Sequence, residues 1–309
     1  MKTNRFMYWA VLISIICAII FLSKQCSHTH HTPETISIIP KMSDEFQLQP
    51  EHSSWPAHIA TDPQGYVYVV GKSIGSNGTY WIVRRKKPEG DQWETVDQFQ
   101  YSPDQDSQAI KVYYDESLKP AIFVEGQVKS VDGKTHFLNR STTNRGALWK
   151  TVWDDLNLLL TTYPMANNEF DFNNKENYIV GEEDDVNKNS VWFVKKKAFS
   201  SQEWIDVDRF FITPSHRSIA RAILIGPSEK NTATLWVGGI ARDDKNHSHW
   251  IVRVSFDRGN TWKTVDDYSG DIGADLVSGV LIKNTSYWIG NEELSDHSFR
   301  WIVRSIPFH

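Results

Sequence analysis

Short apolar runs of five to eight residues recur along most of the chain, each closed by turn-forming residues. Four such runs are "PAHIATD", "YVYVVG", "YWIVRR" and "QWETVDQF". The turn signals Asp62-Pro63-Gln64-Gly65, Ser76-Asn77-Gly78 and Pro88-Glu89-Gly90 divide them. Gly, Pro and Asn next to such runs mark strand ends. Within Trp81-Ile82-Val83-Arg84 the period of two places Trp81 and Val83 on one face and Ile82 and Arg84 on the other. This predicts a four-stranded antiparallel sheet.

The same grouping returns along the sequence. Trp81, Phe137, Trp192, Trp250 and Trp301 head equivalent runs, and four of them are followed twelve positions later by Trp93, Trp149, Trp204 and Trp262. About eleven residues before each anchor, an apolar run ends in glycine at Gly71, Gly126, Gly181, Gly239 and Gly290. Self-similarity at this period marks a repeat architecture. A sheet of four strands buries its faces by stacking around an axis, so the expected fold is an all-β, five-bladed β-propeller. The fifth copy ends after its third strand. The segment Ser37–Ser54 lines up with the fourth strand of the first copy, Asp44 falling on Asp97 and Phe46 on Phe99. The N-terminal strand is therefore expected to close the last blade and remove its exposed edge.

Ahead of the repeats, "MYWAVLISIICAIIFLS" from Met7 to Ser23 carries no charge and is flanked by Lys2, Arg5 and Lys24. As a helix it would approach the thickness of a bilayer core. The expected organisation is a cytoplasmic stub (1–6), a transmembrane signal anchor or signal peptide (7–23), a linker (24–36) and the propeller (37–309). The positive flank favours export of everything after Lys24 to a periplasmic or extracellular side. Secretion after cleavage is the alternative. In the linker, Cys26, His28, His30 and His31 read as part of a solvated tether rather than a metal site.

Composition narrows the classes further. With 33 basic and 38 acidic residues the chain has no basic excess, which argues against a nucleic-acid partner. The only cysteines are Cys17 and Cys26, so the repeats hold no disulfide and no cysteine-based zinc site.

One stretch, Ser255-Phe256-Asp257-Arg258-Gly259-Asn260-Thr261-Trp262, reads S-x-D-x-G-x-T-W. With "WIVR" before it and "TVDDY" after it, the chain resembles the Asp-box, or BNR, repeat family, which includes the sialidases. The resemblance covers about residues 37–309, but only this copy matches fully. Elsewhere Pro88, Asn144 or Phe199 stands at the Asp position. The resemblance implies that such boxes join third and fourth strands away from any active site. Ser255, Asp257, Gly259, Thr261 and Trp262 are thus expected to be structural. The recurring cations Arg84, Arg140, Lys195, Arg253 and Arg304 are expected to face solvent or to bridge blades.

Function is expected on the opposite, loop-bearing face. "GEEDD" from Gly181, "ARDDKN" from Ala241 and "GNEELSDH" from Gly290 are acidic there. Glu182, Asp184, Arg242, Asp243, Glu292 and Asp296 are the candidate binding residues. No catalytic residue, metal ligand or cofactor is assigned. A sialidase would need three arginines, a Tyr activated by Glu and an Asp acid/base; the nearest relative of its R-I-P motif, Arg304-Ser305-Ile306-Pro307, lies at the wrong end. An arabinanase-like hydrolase would need three carboxylates from different blades. The favoured expectation is a membrane-tethered, non-enzymatic binding module for a glycan or protein ligand. A glycoside hydrolase of sialidase-like or arabinanase-like type is the alternative.

Overall fold

The computed structural model describes residues 38–117, 119–156, 168–171, 173–226 and 233–308. The segment 7–23 and the linker histidines lie outside these residues. Every regular element among the described residues is a β-strand, and none of them forms a helix long and apolar enough to cross a membrane.

Strand β1 (Lys41–Phe46) is followed by a first sheet of β2 (Ser54–Thr61), β3 (Val67–Gly75), β4 (Gly78–Lys86) and β5 (Trp93–Phe99). The second sheet holds β6 (Ser107–Asp115), β7 (Ala121–Lys129), β8 (Thr135–Thr142) and β9 (Lys150–Asp155). The third holds β10 (Asn168–Asp171), β11 (Glu176–Asp184), β12 (Ser190–Ala198) and β13 (Ile205–Phe210). The fourth holds β14 (Ser218–Gly226), β15 (Thr234–Arg242), β16 (Ser248–Ser255) and β17 (Lys263–Tyr268). The fifth joins β18 (Gly273–Ile282), β19 (Thr285–Glu293) and β20 (Phe299–Pro307) to β1. All pairings are antiparallel, and the first four sheets are simple meanders. In the fifth, the first strand of the chain supplies the outer edge, and Asp44 opposes Val303 as Asp97 opposes Val83.

The anchor tryptophans explain how the sheets stack. Trp81, Trp192, Trp250 and Trp301 are fully buried. Each six-membered ring lies against the repeat glycine of the next sheet, Gly126, Gly239, Gly290 and Gly71 in turn. A Cβ there would collide with the ring on one side and with the first-strand backbone on the other. Apolar clusters fill the spaces between sheets one and two, three and four, four and five, and five and one. Ile82, expected on the face opposite Trp81, is indeed buried in a different cluster.

In all five sheets the third and fourth strands shift register beside the recurring cation. The shift leaves Ser43, Val96, Val152, Val207 and Val265 bulged. Four of the cations then reach the preceding sheet. Arg84 grips Asp44 through Nε and Nη2, both at 2.6 Å; Arg140 grips Asp97, Arg253 grips Asp208 and Arg304 grips Asp266, at 2.7–3.1 Å. Thr95, Thr151 and Thr264 on the cation's own sheet accept the remaining Nη1 of Arg84, Arg140 and Arg253. These pairs are nearly sealed from solvent, which corrects the solvent-facing alternative. Burial pushes the four aspartate carboxyls up while the two-pronged guanidinium pulls them down.

The contact between sheets two and three departs from this pattern throughout. Phe137 stands for the anchor Trp, Asn139 for the buried Val, Trp153 for the Asp and Lys195 for the Arg. Lys195 pairs instead with Glu183 and Asp206 of its own sheet, and Trp153 is exposed. Asn139 Oδ1 is buried without a hydrogen-bond partner.

The box at Ser255–Trp262 is structural in its contacts. Asp257 Oδ1 accepts Thr261 N at 2.8 Å and the Ser255 hydroxyl, and Ser255 Oγ accepts Gly259 N at 2.8 Å. Trp262 Nε1 donates to Val207 O of the preceding sheet at 2.8 Å. The divergent copy Thr142-x-Asn144-x-Gly146 repeats these bonds, and Trp149 Nε1 donates to Val96 O at 2.9 Å.

Candidate active site

The first strands of neighbouring sheets lie side by side and form the inner wall. In sheets one, two, four and five the register between the first and second strands slips by one residue among the described residues. The repeat glycine makes this possible, because the carbonyls of Trp55, Gln108, Ile219 and Asp275 sit where its Cβ would be. Those four residues occupy one level of the wall. Their cross-strand partners are Lys72, Gln127, Ile240 and Asn291, each directly following a repeat glycine. In the third sheet the residue following the glycine is Glu182. A single level of the repeat thus carries an aromatic ring, three side-chain amides, a lysine, two isoleucines and two carboxylates. Buried core residues would be expected there if packing were the only demand.

Charge is concentrated across sheets three to five. Glu182 accepts Arg217 Nε at 2.8 Å and Nη2 at 2.5 Å, and the Ser190 hydroxyl at 2.6 Å. The Arg217 hydrogen bonds hold the Glu182 carboxyl below the usual range, outweighing burial. Arg221 is the bulged residue at the register slip in β14, between Ala220 and Ala222. Its Nη2 lies 3.8 Å from Asp275 Oδ2, and it feels the charges of Glu182 and Arg217. Asp275 Oδ1 takes the Ser248 hydroxyl at 2.5 Å. Glu182, Arg217, Arg221 and Asp275 thus form a run of two arginines flanked by two carboxylates, drawn from three sheets. On the first sheet, Lys72 Nζ lies 5.1 Å from the Trp55 ring centroid, and Trp55 packs near Phe299.

Of the six candidate residues, only Glu182 belongs to this arrangement. Asp243 accepts the backbone N–H groups of Lys245 and His247 in its own turn. Asp296 does the same for Ser298. Arg242 donates to Asn246 O, also within that turn. Glu292 is buried and binds Arg300 at 2.7 Å, while Arg300 also reaches Glu45 of β1. Asp184 is exposed. Short carboxylates cap tight turns through their own backbone, and that demand accounts for the acidic loops. Asp275, Ser190 and Ser248 were not anticipated. The signal available was positional: the residues flanking each repeat glycine and its first-strand partner.

Among the described residues no three His, Cys, Asp or Glu side chains gather closely enough to hold a metal. The Tyr113 hydroxyl donates to Glu125 at 3.0 Å, and burial raises this phenol.

A family model described as a beta-propeller repeat matches residues 49–79. No curated protein matches the sequence. Similar solved structures include the GH43_1 enzyme from Xanthomonas citri, at 9% identity and TM-score 0.42, covering 86% of this chain and 89% of that one. The catalytic domain of a Coprinopsis cinerea GH62 alpha-L-arabinofuranosidase is similar at 9% identity and TM-score 0.39, covering 88% and 96%. A thermostable family-43 glycoside hydrolase is similar at 11% identity and TM-score 0.38, covering 82% and 89%. The expectation of a non-enzymatic binding module is corrected here, since these neighbours are glycoside hydrolases and favour its alternative. At such distances they carry no residue role over to this chain. The repeat match supports a β-propeller without singling out the Asp-box family.

Proposed function

We propose that this chain is a glycoside hydrolase built on a five-bladed β-propeller that strand β1 closes. The observation that carries the proposal is the level of the inner wall where Glu182 and Asp275, from separate sheets, join a charge chain through Arg217 and Arg221 beside Trp55 and Gln108. Cleavage of a glycosidic bond requires one carboxyl group to protonate the leaving oxygen and another to act as base or nucleophile. Glu182, kept ionised by Arg217, suits the base or nucleophile role. Asp275 is the second carboxyl of the pair. Trp55 offers an apolar face to a sugar ring, and Gln108 and Gln127 offer donors and acceptors to its hydroxyls. The two arginines lie close in sequence and are engaged by carboxylates, so sialoside turnover is not expected.

The test is a panel of glycosides and polysaccharides assayed with the full-length chain. Glu182→Gln and Asp275→Asn should each lower kcat on the order of a hundredfold or more while melting stays near wild type. Failure to cleave any member, or turnover indifferent to both changes, would overturn the reading.

We also propose that residues 7–23 hold the protein to a membrane with the propeller on the exported side. The uncharged run and its basic flank support this. Salt-resistant fractionation with membranes is expected; a soluble mature form beginning after residue 23 would instead indicate cleavage.

A further inference from the structure

We infer that the cleft between the first and second sheets, beside the axial mouth, is a subsite for the carboxylate-bearing ring of an acidic glycan, a uronate unit. This rests on the hydrolase reading and adds a substrate class to it. The cleft has a volume of about 230 Å³ and is lined by Lys72, Thr79, Asp106, Gln108, Gln127 and Lys129 among others. That is near the lower end of ligand pockets, roughly 300–1,000 Å³, and suits one sugar ring rather than several.

Its position ties it to the proposed catalytic carboxylates. Lys72 and Gln127 follow the repeat glycines of sheets one and two, as Glu182 follows that of sheet three. Gln108 holds on β6 the place that Asp275 holds on β18. A glycan lying across the mouth can therefore meet the cleft and the carboxylates at one level.

Its chemistry sets the charge of the ligand. Lys129 is neutralised by Asp106 at 3.1 Å, and hydrogen bonds from Lys129 and Thr79 hold Asp106 below the usual range. Lys72 has no carboxylate within ion-pairing distance among the described residues; it sits over the Trp55 ring. Lys72, Lys129 and Asp106 together leave one net positive charge beside the amides and hydroxyls, with Asp106 also feeling the Lys72 charge. Gln108 Nε2 donates to Gln127 Oε1 at 3.3 Å, so the pair is held in place with the Gln127 NH₂ and the Gln108 Oε1 still available to sugar hydroxyls. A neutral sugar would leave the Lys72 ammonium uncompensated, whereas a uronate would meet it with a charge-assisted bond.

The experiment compares binding of trigalacturonate and its methyl ester, which keeps the sugar rings and their hydroxyls but removes the charge, to the full-length chain by calorimetry at fixed ionic strength. The acid form should bind about tenfold more tightly, the value of one charged hydrogen bond. Lys72→Gln should bring the two affinities within about twofold of each other and leave the ester's affinity unchanged; Lys72→Arg should keep most of the preference. Removing a distant charge with Lys263→Gln should change neither. Equal affinities in the wild type, no binding of either sugar, or a preference that survives Lys72→Gln would overturn the subsite. Because binding is read without turnover, a preserved preference with no cleavage would reject the hydrolase reading alone. Cleavage without the preference would reject the subsite alone.

Discussion

Glu182 shows how one side chain can be found in a sequence for an insufficient reason. It stands out as part of an acidic loop, yet Asp185 of that loop, like Asp243 and Asp296 of the other two, is occupied by its own turn. Glu182 differs because it follows a repeat glycine on a strand, which aims it at the mouth and into the Arg217 fork. Asp275 had no comparable mark in the sequence. A single acid inside "GADLVSGVLI" gains its meaning only from the register slip that places it opposite Asn291. The Glu182–Arg217 pair gives a pH test. Arg217 lowers the Glu182 carboxyl, so the base form persists below the usual carboxylate range and the acid limb of kcat/KM lies low. Arg217→Ala removes the main lowering influence and leaves burial, which raises the group. The acid limb should then move to higher pH. Stability follows the same sign: the ionised pair stabilises the fold above the unfolded glutamate range and loses that contribution as pH falls through the lowered value. An acid limb unmoved in Arg217→Ala would remove Glu182 from the base role.

At the scale of elements, the repeat was readable because each physical demand recurs. A buried tryptophan needs a glycine on the next sheet, and a buried arginine needs an aspartate on the previous one. These demands fix anchor Trp, strand Gly and the "TVD" aspartate at constant spacing. What could not be read was the pairing itself, since Arg84 and Asp44, or Arg253 and Asp208, belong to different repeats. The contact between sheets two and three shows the dependence in reverse. Where Trp153 replaces the aspartate, the opposing cation is Lys195, and it turns to its own sheet. The two losses accompany each other because either charge alone would be buried without a partner. The consequence is a difference in cost. Arg253→Ala strands Asp208 and should destabilise by about 3–5 kcal/mol. Lys195→Ala breaks a partly exposed pair and should cost about 1 kcal/mol or less. Urea midpoints of the two variants measure this, and equal losses would contradict the proposed asymmetry.

Across the whole molecule, closure depends on β1. Its pairing with β20 covers an edge that would otherwise expose a row of backbone donors and acceptors. Four further contacts tie it in. Asp44 receives the buried Arg84 of the first sheet, Glu45 receives Arg300, and Phe46 packs edge-on to Trp301 at 5.7 Å between centroids. Ser43 accepts the Trp93 Nε1 at 3.1 Å. The strand thus joins the fifth sheet by backbone pairing and the first sheet by side chains, linking the two ends of the repeat array. Deleting residues 1–46 removes all of these at once and leaves Arg84 buried without its carboxylate, a loss that alone amounts to about 3–5 kcal/mol. Deleting residues 1–34 removes none of them. The longer deletion should melt far below the shorter one or fail to accumulate as soluble protein, and the shorter should melt as the full-length chain does. A milder variant separates the edge from the ion pair. Asp44→Asn keeps the strand and its backbone bonds, so it should lower the midpoint less than the 1–46 deletion while remaining soluble. Thermal melting of the three proteins decides the matter, and equal midpoints for the two deletions would refute closure by β1.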